Sequence, residues 1–333
     1  MGYRLKRGES IPEGIRRIVH EETASVLSEL AHSAGKRRDE GIHEARKSIK
    51  KIRGLLRLVR PELGRLYRTE NTRLGDVGRK LSEIRDATAI IEVFDGLVAK
   101  HQNGLQKDTL TPIRKGLEAS KRQMELQPGM REAVKRATAA LRSLQKRVDA
   151  WPLRQEGFRA LAPGLKERYR RGRRAMAVAQ KDGTAENYHE WRKRVKDHWY
   201  HVRLLESLWT EVMQEHEHSL HDLETWLGDD HNLVLLRAKL EEEPQNYGDD
   251  KAVRLFLALV NQEQKELREK SISLGERIYE RKPRRFVKDI QKLWDAWQQP
   301  PDSMKEEEKE HRQATKKQPG RAGSAKPKKA AAA

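Results

Sequence analysis

His43-Glu-Ala-Arg-Lys-Ser-Ile-Lys-Lys-Ile-Arg-Gly-Leu-Leu-Arg57 returns in the same chain as His189-Glu-Trp-Arg-Lys-Arg-Val-Lys-Asp-His-Trp-Tyr-His-Val-Arg203. His43, Glu44, Arg46, Lys47, Lys50 and Arg57 match His189, Glu190, Arg192, Lys193, Lys196 and Arg203 at an offset of about 146 residues, which marks an internal repeat. Wound as a helix from His43, the first copy places Arg46, Lys47, Lys50, Arg53 and Arg57 between roughly 280° and 40°. Ile42, Ala45, Ile49, Ile52, Leu56 and Val59 fall on the other side, between roughly 160° and 260°. The second copy repeats the division: Tyr188, Trp191, Val195, Val202 and Leu205 are apolar, while His189, Arg192, Lys193, Lys196 and Arg203 lie opposite, with Tyr200 among them. Charge runs are commonly just solvated faces, but those usually mix signs so that neighbours attract. Stripes without carboxylates repel internally by about 1–2 kcal/mol each, a cost that a bound polyanion would turn into a gain. Repetition of the arrangement strengthens the reading that both stripes are binding surfaces.

The composition agrees. The 333 residues hold 70 Lys and Arg against 51 Asp and Glu, a net charge of +19, and the isoelectric point is near 10.0. Such a chain suits anionic partners: nucleic acid, an acidic membrane surface or phosphate polymers. Equal hydrophobic and charged fractions, 36% each, fit slender helical bundles that need only a seam of core. The absence of cysteine excludes disulfides, thiolate catalysis and thiolate metal sites. No apolar run approaches the ~18 residues of a membrane span, and the N-terminus lacks a signal-peptide core. A soluble, cytoplasmic protein is expected.

The chain reads as all-α, with no strand pattern. Residues 1–11 form a lead-in, and Pro12 starts a helix carrying Ile15, Ile18, Val19, Val26, Leu27 and Leu30. The first stripe helix ends at Pro61, and helices follow over about 62–81, 84–98, 105–126 and 130–148. Residues 1–152 make a first half. Residues 153–299 make a second, restarting at Pro163-Gly164-Leu165, whose Gly164-Leu165-Lys166 resembles Gly14-Ile15-Arg16. The second stripe helix runs to about Trp209, and two amphipathic helices, about 251–280 and 283–297, finish the half. Beyond the stripes the offset persists: Leu74, Asp76, Val77 and Leu81 match Leu220, Asp222, Leu223 and Leu227. Residues 300–333, with nine basic and five acidic residues and almost no large apolar one, read as a disordered cationic tail. Most of the +19 belongs to residues 1–299.

The chemistry of the stripes is phosphate recognition. Arg offers forked donors and Lys a point charge, repeated about 5 Å apart per turn. His43 and His189 can donate from a ring nitrogen. Two bundles facing each other would line one positively walled groove, and Arg170, Arg173 and Arg174 could extend the second stripe. A metal at His216, His218, His221 and Asp222 is disfavoured because His216 and His218 project to different helix faces. His198 and His201 sit on or beside the buried face. Asp229-Asp230-His231, after Gly228 at an expected helix end, read as caps. Phosphate loops, nucleophile elbows and His-Glu-x-x-His are absent, so neither catalysis, a cofactor nor a metal is expected. Single-strand recognition uses exposed rings, yet aromatics are 5% of the chain and the first stripe has none.

His-x-x-Arg-x-x-x-Lys-x-x-Arg-x-x-x-Arg, present twice in a helical chain, resembles the CHAD family (conserved histidine α-helical domain). The Tyr169-Arg-Arg-Gly-Arg-Arg174 approach and the Ile84-Arg85-Asp86 and Leu227-Gly228 turns fit it too. The resemblance covers roughly residues 1–298. It implies two four-helix-type bundles related by a pseudo-two-fold axis, with basic surfaces meeting at a central groove or pore. It further implies non-catalytic binding of inorganic polyphosphate and targeting to polyphosphate granules; apart from the resemblance, the basic stripes and tail leave non-specific nucleic-acid binding as the alternative, with nucleic acid as a weaker competitor. Carried over by motif position, the binding residues would be His43, Arg46, Lys50, Lys51, Arg53 and Arg57, with His189, Arg192, Lys193, Lys196, Tyr200 and Arg203; Lys47 joins them from its place on the stripe. The chain departs from the pattern at Trp199, opposite Arg53, and at Asn232, opposite Asp86. A triphosphatase β-barrel of the CYTH type, often fused to this family, has no counterpart here.

Overall fold

The computed structural model describes residues 2–32, 38–101, 107–125 and 129–299. In chain order the first half contains α1 (Ile11–His32), α2 (Arg38–Leu58), α3 (Arg60–Leu63), α4 (Arg65–Lys80), α5 (Ser82–Lys100), α6 (Lys107–Glu125) and α7 (Gly129–Val148). The second contains α8 (Ala162–Asp182), α9 (Ala185–Leu204), α10 (Thr210–Glu242), α11 (Asp250–Ile278) and α12 (Pro283–Gln298). No strand occurs among the described residues, and no helix is long and apolar enough to cross a membrane. The tail from residue 300 and the break expected at 127–128 lie outside the described residues.

Local chemistry explains several boundaries. Ser10 and Glu13 form a reciprocal capping box before α1: Ser10 Oγ accepts from the Glu13 N–H at 3.3 Å, and Glu13 Oε2 from the Ser10 N–H at 3.1 Å. Thr184 Oγ1 caps α9 at the Asn187 N–H, 3.2 Å away, and Asp249 caps α11 at the Lys251 and Ala252 N–H groups.

The helices enclose two cores. The larger is built by α1, α2, α4, α7, α8, α9, the first part of α10 and α12. It buries every residue of the apolar face expected for α2: Ile42, Ala45, Ile49, Ile52, Leu56 and Val59. The smaller joins α5 and α6 to the later part of α10 and the start of α11, with Phe94 and Phe256 ring centroids 4.8 Å apart. Both cores draw on both halves, so each crosses the 152/153 boundary.

Three expectations need correction. α10 runs unbroken through Gly228, so Asp229, Asp230 and His231 are mid-helix and cap nothing. Residues 1–11 are more than a lead-in. Tyr3 and Leu5 are buried, the Tyr3 hydroxyl donates to the Lys51 carbonyl at 3.1 Å, and the Leu5 N–H donates to the Leu204 carbonyl at 3.0 Å. Finally, α9 stops at Leu204 rather than near Trp209, and it buries more than one face. Asp197, His198, Trp199, Tyr200 and His201 are buried along with its apolar residues, because α2, α8 and α10 all pack against it.

That enclosure makes the fold acid-sensitive. His201 is wholly buried, its Nε2 3.0 Å from the Gly54 carbonyl oxygen. Burial pushes its pKa down to about 4, against a smaller upward pull from the Gly54 hydrogen bond. The unfolded chain titrates near 6.5 and therefore binds more protons between these values. Stability is complete above about pH 6.5 and falls as the pH drops toward 4. At pH 5 this one group costs about 2 kcal/mol. Urea unfolding at pH 7 and pH 5 will show the loss, and His201→Gln, which keeps a donor, will reduce it.

Candidate functional site

The two repeat helices cross at Gly54. A Cβ there would lie 3.3 Å from Tyr200 Cβ, so the missing side chain lets α9 come close to α2. This crossing brings the matched cations together. Lys196 and Arg192 of α9 both pair with Glu224 of α10, Lys196 Nζ directly and Arg192 Nη2 at 3.2 Å. Lys50 of α2 sits within Coulombic reach of Lys196, Arg46 and Arg192. Burial, and then those three like charges, push its pKa well below the usual lysine value, with Glu224 opposing only weakly. Among the described residues Lys50 has no ion pair, whereas its counterpart Lys196 has Glu224. Burial raises the Glu224 pKa, but Lys196 and Arg192 lower it further, so it is held ionised. Lys196, Arg192 and Lys50 thus all act on Glu224, and Arg46 lies within Coulombic reach of Lys50 and Lys196.

Elsewhere along the stripes, Arg53 donates to Asn71 Oδ1 at 3.2 Å. Burial and neighbouring Arg57 bring its pKa down to about 10, so it stays charged at neutral pH. Arg57 reaches across to Asp197 of α9 at 2.9 Å, which Arg168 of α8 approaches at 3.7 Å. Arg203 lies 3.8 Å from Glu217 and covers the Trp199 ring at 5.1 Å.

The repeat is visible in contacts as well as letters. Arg53 bonds Asn71, and 146 positions on Trp199 Nε1 donates to Glu217 Oε1 at 2.6 Å. Glu22 pairs with Lys51 at 2.7 Å, and at the matched positions Arg168 faces Asp197 with the signs reversed. This pairing sets α1 against α8 at the same offset of 146. The likeness of Gly14 to Gly164, which implies an offset of 150, is therefore coincidental. Gly14 approaches Leu5 and Glu9, and Gly164 approaches the Leu58 backbone.

Other expected site residues fall differently. The stripes are not free of carboxylates: Glu44 pairs with Lys47 at 3.3 Å, and Glu190 pairs with Lys193 at 2.8 Å and Arg194 at 2.7 Å. Lys51 is committed to Glu22. Tyr200 is 1% exposed, packed edge-on against Tyr3 and stacked with Trp199, so it presents nothing to a ligand. His43 is half-exposed, 3.9 Å from Glu44. The His189 ring lies against that of His231 at 4.0 Å, and burial, then His189, brings the His231 pKa down to about 3. On α8, Arg170 pairs with Glu167, Arg173 lies beside Tyr169 with Arg281 on the α12 side, and Arg174 is exposed. None of the three joins the four-cation centre.

Glu224, Asp197, Glu22 and Glu217 were missed from the sequence because each meets its cation from another element. Aligning the halves would have exposed two of them, since Glu22–Lys51 and Arg168–Asp197 are complementary columns. The histidine clusters disperse. His216 turns inward toward His198 and Phe286, while exposed His221 packs on Trp199. Among the described residues no group of three or more His, Asp or Glu is placed to hold a metal ion. The side chain of Asp86 lies outside the described residues.

Comparison with known proteins places this arrangement. The family model "CHAD domain" matches residues 23–241, a span that contains both repeat helices and Glu224. The crystal structure of the CHAD domain from the plant Ricinus communis superposes with a TM-score of 0.61 at 15% sequence identity, covering 84% of this chain and 95% of that one. No functionally curated protein matches. With a family model spanning well over half its length and a helical fold shared across nearly all of a solved member, the chain belongs to the CHAD family.

Proposed function

We propose that this protein binds inorganic polyphosphate along α2 and α9, without turning it over, and is thereby carried to polyphosphate granules. The observation that carries the reading is Lys50: a partly buried ammonium within Coulombic reach of Arg46, Arg192 and Lys196, with no ion pair of its own among the described residues. Such a centre is unfavourable empty, since burial and like charge both oppose it. It becomes favourable when a dense linear anion supplies the missing counter-charges. Polyphosphate, a thin and flexible chain with about one charge per phosphate, can follow cations that converge from two crossing helices more closely than a rigid duplex can. Base stacking has no platform on the stripes, because Trp199 and Tyr200 are both buried. The family resemblance points the same way.

Calorimetric titration of the full chain with long-chain polyphosphate, against duplex DNA of equal total charge, separates the readings. The expected result is a dissociation constant below about 1 μM that DNA does not displace. Steep salt dependence is common to both ligands and decides nothing. Displacement by an equal charge of DNA would replace the proposal with non-specific nucleic-acid binding.

A further inference from the structure

The internal repeat extends to a surface groove that the cationic centre does not use. In the first half, α4 and α7 flank a cleft of about 460 Å³ whose lining includes Glu70, Ala140, Leu144 and Arg147. In the second half, α10, the end of α11 and α12 flank a cleft of about 780 Å³. The residues 146 positions on line it: His216, Phe286, Ile290 and Leu293. The floors differ. Glu70 and Arg147 bridge the first cleft with two bonds of 2.9 Å, and Glu70 is 1% exposed. His216 and Leu293 cannot form that pair, so the second cleft has no such bridge, and Met213 and Ile278 add to its apolar floor. The rim changes in the same sense. Leu63, just before α4, is 2% exposed, whereas its match Trp209, just before α10, is 52% exposed. Val212, one turn on and part of the cleft lining, is 46% exposed.

Charge selects what this face can meet. The chain carries +19, yet around the second cleft four carboxylates, Glu215, Glu276, Glu280 and Asp289, outnumber two guanidiniums, Arg277 and Arg281. Two copies of so basic a chain repel each other on average, but at this face each can set its arginines against the other's carboxylates. A two-fold contact needs a projecting group and its receptor on one patch, and Trp209 stands beside the cleft. Tryptophan is enriched among the side chains that anchor interfaces. Residues 300–333 are poorly suited to the apolar floor, because Met304 is their one large apolar residue. We propose that the cleft between α10, α11 and α12 is a self-association surface. A second copy of this chain seats its Trp209 and Val212 on the apolar floor and receives the first copy's in return. The second half has thus exchanged the bridge of the first for an interface.

Sedimentation equilibrium of the full chain tests this without any polymer, so its outcome is separate from that of the polyphosphate reading. The expected result is a concentration-dependent monomer–dimer equilibrium, with the weight-average mass rising toward twice the 38.7 kDa of the chain by ~100 μM. Trp209→Ser and Val212→Arg change exposed side chains, so both variants keep the fold. Each is expected to weaken dimerisation by about tenfold or more. His216→Glu combined with Leu293→Arg transplants the bridge of the first half across the second cleft and is expected to do the same. A chain that stays monomeric up to ~100 μM would overturn the proposal and leave the cleft to a different protein. A dimer that neither Trp209→Ser nor Val212→Arg weakens would also overturn it, by placing the interface elsewhere.

Discussion

Replacing Arg46, Lys50, Arg192 and Lys196 together by alanine is expected to lower affinity for long-chain polyphosphate at least a hundredfold, about 2.7 kcal/mol. Four charge-assisted contacts are lost, each worth about 1.5–3 kcal/mol when made, and their effects are not additive. The single variants are more informative: burial and then neighbouring cations push both matched lysines below the usual lysine value, but only Lys196 has a direct carboxylate partner, Glu224. Lys50→Met removes an ammonium surrounded by like charge and without an ion pair among the described residues. It should stabilise the ligand-free protein by about 1–2 kcal/mol while weakening polymer binding. Lys196→Met strips Glu224 of its direct partner and leaves a buried carboxylate held by Arg192 alone. It should destabilise the protein by about 1–3 kcal/mol. Urea denaturation paired with calorimetry reads both effects. Two lysines at equivalent places in a repeat, changed identically and moving stability in opposite directions, would be hard to explain by surface charge alone. Equal destabilisation by both would mean that Lys50 is a structural residue and would remove the strongest argument for the site.

Gly164→Ala should be among the most damaging single-methyl changes available to the fold. A Cβ on Gly164 would sit 1.8 Å from the Leu58 carbonyl oxygen and 2.6 Å from the carbonyl carbon. The obstruction is backbone, which cannot rotate away. α8 would have to withdraw from α2, loosening Leu165 and Tyr169 in the core and shifting α9, which packs on both helices. The expected loss is about 3 kcal/mol or more, measured by the urea midpoint. Gly96→Ala is the matching control: among the described residues nothing lies within 4 Å of its Cβ, and an open mid-helix position gains about 0.5–1 kcal/mol from alanine. Similar midpoints for the two variants would contradict the close α2–α8 contact.

The sequence was most informative where a helix buries one face. The apolar positions of α2 recur with clean helical spacing, and all six expected inside are inside. The second stripe was harder to read because α9 is enclosed on several sides. His198 and His201 fall on or beside the expected buried face and are buried, whereas Asp197 looks polar on a helical wheel yet is buried against Arg57 of α2. Tyr200 was misplaced for the same reason: a phenol beside a cationic stripe suggests a ligand contact until Tyr3 and α2 are seen to cover it. The repeat singles out the four cations, but their convergence depends on how α2 and α9 dock. Gly54 decides that docking, and nothing in its immediate sequence announces it. Glu224 lies in a helix with no charge stripe, and at the offset of 146 its counterpart is Gly78, so the repeat gives no hint of it.

The most direct measurement is a crystal structure of the full chain with polyphosphate of defined length, locating the polymer by its phosphorus density. The account requires a continuous chain between α2 and α9, with phosphate oxygens bonded to Lys50, Arg46, Arg192 and Lys196. Polymer density on the outer face of α8 and α12 instead, with the Lys196–Glu224 pair intact, would contradict it.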